Sequence, residues 1–231
     1  MFMEEVKIEP ILESKIMVIS DTHIGSKFEN FSYIDSVYEF ALKHNIKTIL
    51  HAGDLFQAQF QNVSKTYRKP ESQILHLQKD YPHDGSITNK IILGNHDYHM
   101  FNKDKNLIKM MRRADLQFVA VRRAYFNWQG QLVSMTHKCP KYTMTIPNLP
   151  VLVNFAGHSH KFALHPKKGI QVPTLSDDAK FDSLPGFLVV TLEEELAVEL
   201  LSFEPELSNP KLVLKKSLNE SNEWYTYNGD D

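Results

Sequence analysis

Residues 90–97, Lys90-Ile91-Ile92-Leu93-Gly94-Asn95-His96-Asp97, join a short apolar run to a glycine, then to an amide, an imidazole and a carboxylate. The apolar run reads as a buried strand, the glycine ends it, and three chemically able side chains follow at once. An apolar run leading into polar side chains recurs along the chain. Residues 15–20 (KIMVIS) lead into Asp21-Thr22-His23, and residues 46–51 (IKTILH) into Gly53-Asp54. Residues 131–136 lead into His137, and residues 151–156 into Gly157-His158-Ser159-His160. Side chains leaving the carboxyl ends of adjacent strands meet along one edge of a sheet, where α/β proteins usually place their sites.

Between these strands, residues 31–44 carry Tyr33, Val37, Phe40 and Ala41 at helical spacing. A second helix is expected over about 62–79, interrupted near Pro70, and a third near 105–113. Further strands are expected at 117–121 and 125–128. Residues 187–192 and 197–203 alternate strongly and read as an antiparallel pair turning at 193–195. Strand-helix units in the first half and consecutive strands in the second predict an α/β fold of two mixed sheets with helices outside.

At 231 residues and 42% apolar content the chain can bury one sizeable core, and it reads as a single domain over 1–231 with a polar tail from about 217 to 231. It has no apolar run of about 18 residues and no charged-then-apolar start, so the expectation is a cytoplasmic protein without a membrane partner. The lone cysteine, Cys139, excludes an internal disulfide and a thiolate zinc cluster. Charge is unevenly spread: residues 101–168 hold 12 basic and 2 acidic side chains, and residues 169–231 hold 4 and 13. The basic group comprises Lys103, Lys105, Lys109, Arg112, Arg113, Arg122, Arg123, Lys138, Lys141, Lys161, Lys167 and Lys168. Such a field either steers a polyanionic substrate toward the site or is a solvated face balanced by the acidic carboxyl third.

Hydrolysis of a phosphoester needs a nucleophile at an anionic phosphorus and charge stabilisation on the entering and leaving oxygens, which two divalent cations about 3.5–4 Å apart supply. They call for a bridging carboxylate, for which Asp54 is the natural candidate, and for further oxygen and nitrogen ligands. Asp21 and His23 are suited to one ion because alternate residues leaving a strand point the same way. His158 and His160 repeat that device, with Gly157 allowing a tight turn.

In order, the segments D-x-H, G-D, G-N-H-[DE], H and G-H-x-H, spanning residues 21–160, resemble the calcineurin-like metallophosphoesterase superfamily. The resemblance implies a four-layer αββα sandwich of two mixed β-sheets flanked by helices. It also implies two divalent metal ions, with Asp21, His23, Asp54 and His160 holding one and Asp54, Asn95, His137 and His158 the other. His96 would then be a catalytic imidazole that binds no metal, Asp97 would fix its orientation, and a water or hydroxide bridging the ions would be the nucleophile. Manganese is the first expectation for the ions, with iron, zinc or nickel as alternatives. Lys138 follows His137 where the family usually has glycine.

The Asp21-Thr22-His23-Ile24-Gly25 and His51-Ala52-Gly53-Asp54-Leu55-Phe56 segments look most like the nuclease and phosphodiesterase branches of that superfamily, so the expected substrate is a nucleic acid or nucleotide. Repair nucleases of this kind resemble one another in a further histidine where this chain has Gln57. The alternatives are a phosphomonoesterase on a small molecule or phosphoprotein, and a noncatalytic scaffold on the same fold. His44, His51, His76 and His83 read as ordinary surface or packing residues. His99 and His165, close to motif segments, are candidates for a phosphate contact.

Overall fold

Ile16, Met17, Val18 and Ile19 are all completely buried, as befits a strand covered on both faces. They alternate between two cores. Met17 and Ile19 face one apolar cluster, whereas Ile16 and Val18 face another. The computed structural model describes residues 7–111, 113–138, 150–165, 169–178, 184–204, 209–218 and 223–226; Arg112, Cys139, Lys141, Lys167 and Lys168 lie outside them.

Two mixed sheets are stacked. The six-stranded sheet has the order β1 (Ile8–Ile11), β6 (Arg123–Trp128), β7 (Gln131–Thr136), β8 (Val153–Ala156), β10 (Gly169–Gln171) and β9 (Ala163–His165). The eight-stranded sheet runs β14 (Trp224–Thr226), β13 (Lys211–Leu218), β12 (Leu196–Ser202), β11 (Gly186–Leu192), β2 (Lys15–Ile19), β3 (Thr48–His51), β4 (Thr88–Ile92) and β5 (Leu116–Ala120). From β2 to β5 neighbouring strands are parallel, so their carboxyl ends share one edge. β7 and β8 are parallel as well.

This is the α/β sandwich of two mixed sheets with helices that the sequence pattern predicts. Helices α1 (Phe31–Lys43), α2 (Pro70–Asp80), α3 (Asn95–Lys103) and α4 (Asn106–Met110) pack against the outer face of the eight-stranded sheet, through Val37, Ile74, Phe101 and Leu107 among others. α1 starts where Asn30 accepts from the Ser32 N–H. Among the described residues, no helix is long and apolar enough to cross a membrane.

Four expectations change. Residues 62–69 are not helical; Pro70 begins α2 rather than interrupting a helix, because its missing N–H costs nothing at the first helical position and it holds Lys69 extended. Residues 95–103 form α3, which was not expected. The helix anticipated near 105–113 shrinks to α4. The polar tail begins inside β13, where Ser217 and Leu218 are buried, and Trp224 packs on the inter-sheet core while β14 pairs with β13.

That inter-sheet core is anchored by Trp128, fully buried, whose Nε1–H donates to the Glu13 carbonyl at 2.6 Å. Trp128→Ala removes the largest buried side chain there and orphans that carbonyl. Stability should fall by about 3–5 kcal/mol, read as a lower urea midpoint; an unchanged midpoint would mean that the sheets close over the gap.

Candidate metal centre

Five loops meet at one edge of the sandwich. Asp21 and His23 follow β2, Asp54 follows β3, and Asn95, His96 and Asp97 open α3 after β4; His137 follows β7, and His158 and His160 follow β8. Both sheets therefore contribute. Backbone bonds stitch the loops together, Asp21 N–H donating to Gly53 O at 3.0 Å and His23 N–H to Asp54 O at 3.1 Å. Across the sheets, His158 N–H donates to Asp21 Oδ2 at 2.9 Å. Asp21, His23, Asp54, His158 and His160 all adopt positive φ, between 47° and 69°. Such backbone costs of order 1–3 kcal/mol per residue and persists where the surrounding structure over-determines it, as at functional sites.

The side chains converge in two groups. Asp21 Oδ1 lies 3.5 Å from His160 Nε2 and 3.7 Å from His23 Nε2, and the two imidazole nitrogens are 3.1 Å apart. On the other side, His137 Nε2 is 3.1 Å from both Asp54 Oδ2 and Asn95 Oδ1, and 3.3 Å from His158 Nδ1. In each group the carboxylate and imidazole ligand atoms lie within 4.8 Å of one another, and a third group of that kind, His23, Asp54 and His96, spans the two. Asp21 Oδ1 is buried and accepts no hydrogen bond. Buried acceptors are almost always satisfied. An oxygen left so, amid imidazole nitrogens, an amide oxygen and a second carboxylate, fits divalent cations with oxygen and nitrogen ligands.

Electrostatics agree. Burial drives the His23 pKa down to about 3, which keeps its imidazole neutral. Burial also disfavours a charged His137, but the Asp54 hydrogen bond and the charge of Asp21 outweigh it and lift that pKa to about 9. Asp54 is held below the usual carboxylate range, its desolvation overcome by His137. Asp21 moves the other way, raised chiefly by its burial. His137 Nδ1–H is anchored on the Ala52 carbonyl at 2.8 Å, which turns Nε2 inward. Lys138, in place of the family's glycine, does not prevent this.

His96 stands at the mouth. Its N–H donates to Asp54 Oδ1 at 2.9 Å, its Nε2 is 3.9 Å from Asp54 Oδ2, and its ring stacks on Phe60 at 4.1 Å. The expectation that Asp97 orients this ring is corrected. Nδ1–H of His96 donates to the Gln57 carbonyl at 2.9 Å, while Asp97, on the third residue of α3, is turned inward. Its carboxylate accepts from the N–H groups of Phe56 at 2.8 Å, Gly94 at 2.9 Å and Leu55 at 3.1 Å. Asp97 therefore ties the Asp54 loop to the start of α3 and acts on His96 only through that loop. Burial, and then the nearby Asp54 charge, push its pKa up to about 7.

Gly94 faces Asp54 so closely that a Cβ there would overlap both Asp54 Oδ1 and its amide nitrogen. Gly94→Ala should displace that carboxylate and lower metal affinity by 10-fold or more, measured by titration of the apoprotein; wild-type affinity would show that the loop yields freely. Gly157 is similar. Its space, not a left-handed turn, is what matters, since a Cβ would overlap Ser20 Oγ and crowd Asp21.

Two contributors were not foreseen from the sequence. Gln57 acts through its carbonyl, which no side-chain pattern reveals. His51, fully buried, accepts from Gly53 N–H at Nδ1 (3.2 Å) and so donates from Nε2 to Thr22 Oγ1 (3.2 Å), which donates to Leu55 O (3.1 Å). It braces the first loop on the second. His99 rests its ring 5.0 Å from Phe60, whereas His165 lies on β9 at the edge of the six-stranded sheet.

An α/β sandwich whose strand ends gather carboxylate, amide and imidazole groups has the makings of a metal-dependent hydrolase. Residues 15–175 match the calcineurin-like phosphoesterase superfamily domain, and the chain belongs to that family of metal-dependent phosphoester hydrolases. Among solved structures it is similar to YfcE, a phosphoesterase from E. coli, with 15% identity and a TM-score of 0.55 over 87% of this chain and 97% of that one. It is also similar to Vps29 of Chaetomium thermophilum, with 13% identity and a TM-score of 0.50 over 92% and 96% of the two chains. At such identities the likeness speaks for the fold. A search of curated proteins finds no match.

Proposed function

We propose that this chain is a dinuclear metal-dependent phosphodiesterase acting on a nucleic acid or nucleotide. The observation that favours a diester is the position of the centre between two cavities. One, of about 390 Å³, is lined by His23, His96, His160, Phe28 and Phe60; the other, of about 420 Å³, lies beyond Asn95 and His137. Asn95 lines both. A phosphorus held at the centre therefore has room for an ester substituent on either side, whereas a monoester uses one.

In this reading Asp21, His23, Asp54 and His160 hold one ion, and Asp54, Asn95, His137 and His158 hold the other, with manganese the first choice. Divalent ions held there supply positive charge that acidifies an attacking water and neutralises the phosphoryl oxygens. His96, its Nδ1–H fixed on Gln57 and its ring steadied by Phe60, presents Nε2 to the substrate and passes a proton to the leaving ester oxygen. Asp97 keeps the Asp54 loop in register with α3.

The test is turnover by the manganese-loaded protein of bis-p-nitrophenyl phosphate and of p-nitrophenyl phosphate. The diester should be the better substrate in kcat/KM. Preference for the monoester would make the protein a phosphomonoesterase, and inactivity on both across manganese, iron, zinc and nickel would end the catalytic reading.

A further inference from the structure

The cavity beyond Asn95 and His137 has a composition unlike its neighbour. Its lining includes Asn95, Tyr98, Arg122, Arg123, His137 and Lys138, and among the described residues it holds three cations and no aspartate or glutamate. Among the described residues, none of the three forms an ion pair. Unpaired cations gathered in a concave surface raise the local concentration of an anion.

The fold sets their place. β6 and β7 pair antiparallel with Arg123 opposite Thr136, so the arginine stands across from the residue just before His137. Opposed residues on neighbouring strands hold their Cβ atoms about 4.5–5.5 Å apart. Tyr98 lies three residues after Asn95 on α3, hence on the same helix face. It is 42% exposed, and the Arg122 guanidinium lies 6.0 Å from its ring centre. Cations that track a backbone, interleaved with an open aromatic face, are the means by which proteins hold single-stranded nucleic acid.

We propose that this basin docks a polynucleotide strand. The phosphate neighbouring the scissile one rests on Arg122, Arg123 and Lys138, and the adjoining base stacks on Tyr98. The proposal rests on the diesterase reading for the position of the scissile phosphate, and it goes further by naming a substrate with at least two phosphates and by fixing the side on which the second one lies. The guanidinium fork suits a phosphate better than an ammonium does, and two of the three cations are arginines.

Binding is read without catalysis, by fluorescence anisotropy of labelled 12-residue DNA and RNA strands with the full chain in EDTA, over a range of salt concentrations. The unaltered protein should bind a strand, and the tighter of the two identifies the natural sugar. Arg122→Gln combined with Arg123→Gln should weaken binding by about tenfold or more and lower the slope of log affinity against log salt by roughly 1 to 2. Tyr98→Ala should weaken it with little change of slope. Lys43→Ala combined with Lys47→Ala, exposed and on α1 and its exit, removes equal charge elsewhere and should stay within twofold.

No strand binding by the unaltered protein, unchanged binding by the arginine pair, or equal weakening by the Lys43 and Lys47 pair would each overturn the proposal. An arginine variant that fails to fold, judged by its melting temperature, is replaced by Lys138→Gln, for which a smaller loss in affinity and slope is expected. Because binding is measured without metal, loss of this inference is distinguishable from loss of the phosphodiesterase reading, which bis-p-nitrophenyl phosphate turnover tests separately.

Discussion

His96→Ala should lower diester turnover by about 10²–10⁴-fold while leaving metal content close to that of the unaltered protein. The contact between this residue and Asp54 Oδ1 is made by the main-chain N–H and survives the substitution. What is lost is Nε2 at the cleft, with the Nδ1 anchor and the Phe60 stack that aim it. Metal analysis by mass spectrometry, beside steady-state rates, separates the roles. Because His96 also lies within ligand distance of His23 and Asp54, a variant that loses an ion together with its activity would make His96 a ligand instead of a proton donor. Unchanged turnover would remove it from the chemistry.

Asp54→Asn should be the more severe change. The carboxylate is 2% exposed, faces His137 Nε2 and anchors the start of α3, and in the proposed arrangement it alone serves both ions. An amide has similar shape and keeps an acceptor for the His96 N–H, so the backbone should hold. The negative charge disappears, and with it the attraction for two cations in a buried place. The expected result is metal content falling from two ions per chain to fewer than one, with diester turnover below detection. A variant that keeps both ions would refute the bridge. The apoprotein should also show a weaker preference for charged His137, since its main favourable partner is gone.

The centre was legible from sequence because each polar group follows an apolar strand, in three of the five segments behind a glycine, a pattern that survives without neighbours. Legibility stopped where function passes through the main chain or through distance. Asp97 is a clear instance: beside His96 in sequence it reads as that ring's partner, yet on a helix the third residue turns back toward the helix start and meets the orphan N–H groups there. α3 itself was missed because its first residues are the motif, which resembles turn chemistry. β1, β9 and β10 are only three or four residues long and offer too little alternation to be seen. The arginine basin was visible only as a basic region; the β6 to β7 register turned part of that region into a place.

Three of the centre's loops leave the eight-stranded sheet and two leave the six-stranded one, and they are spread over the sequence from Asp21 to His160. No hairpin or βα unit carries a whole site. Secondary structure alone, formed early or retained in a loosened state, would leave the two half-sites adrift of one another. Catalytic competence in this chain therefore requires both sheets docked in register, and activity is a sensitive gauge of that docking.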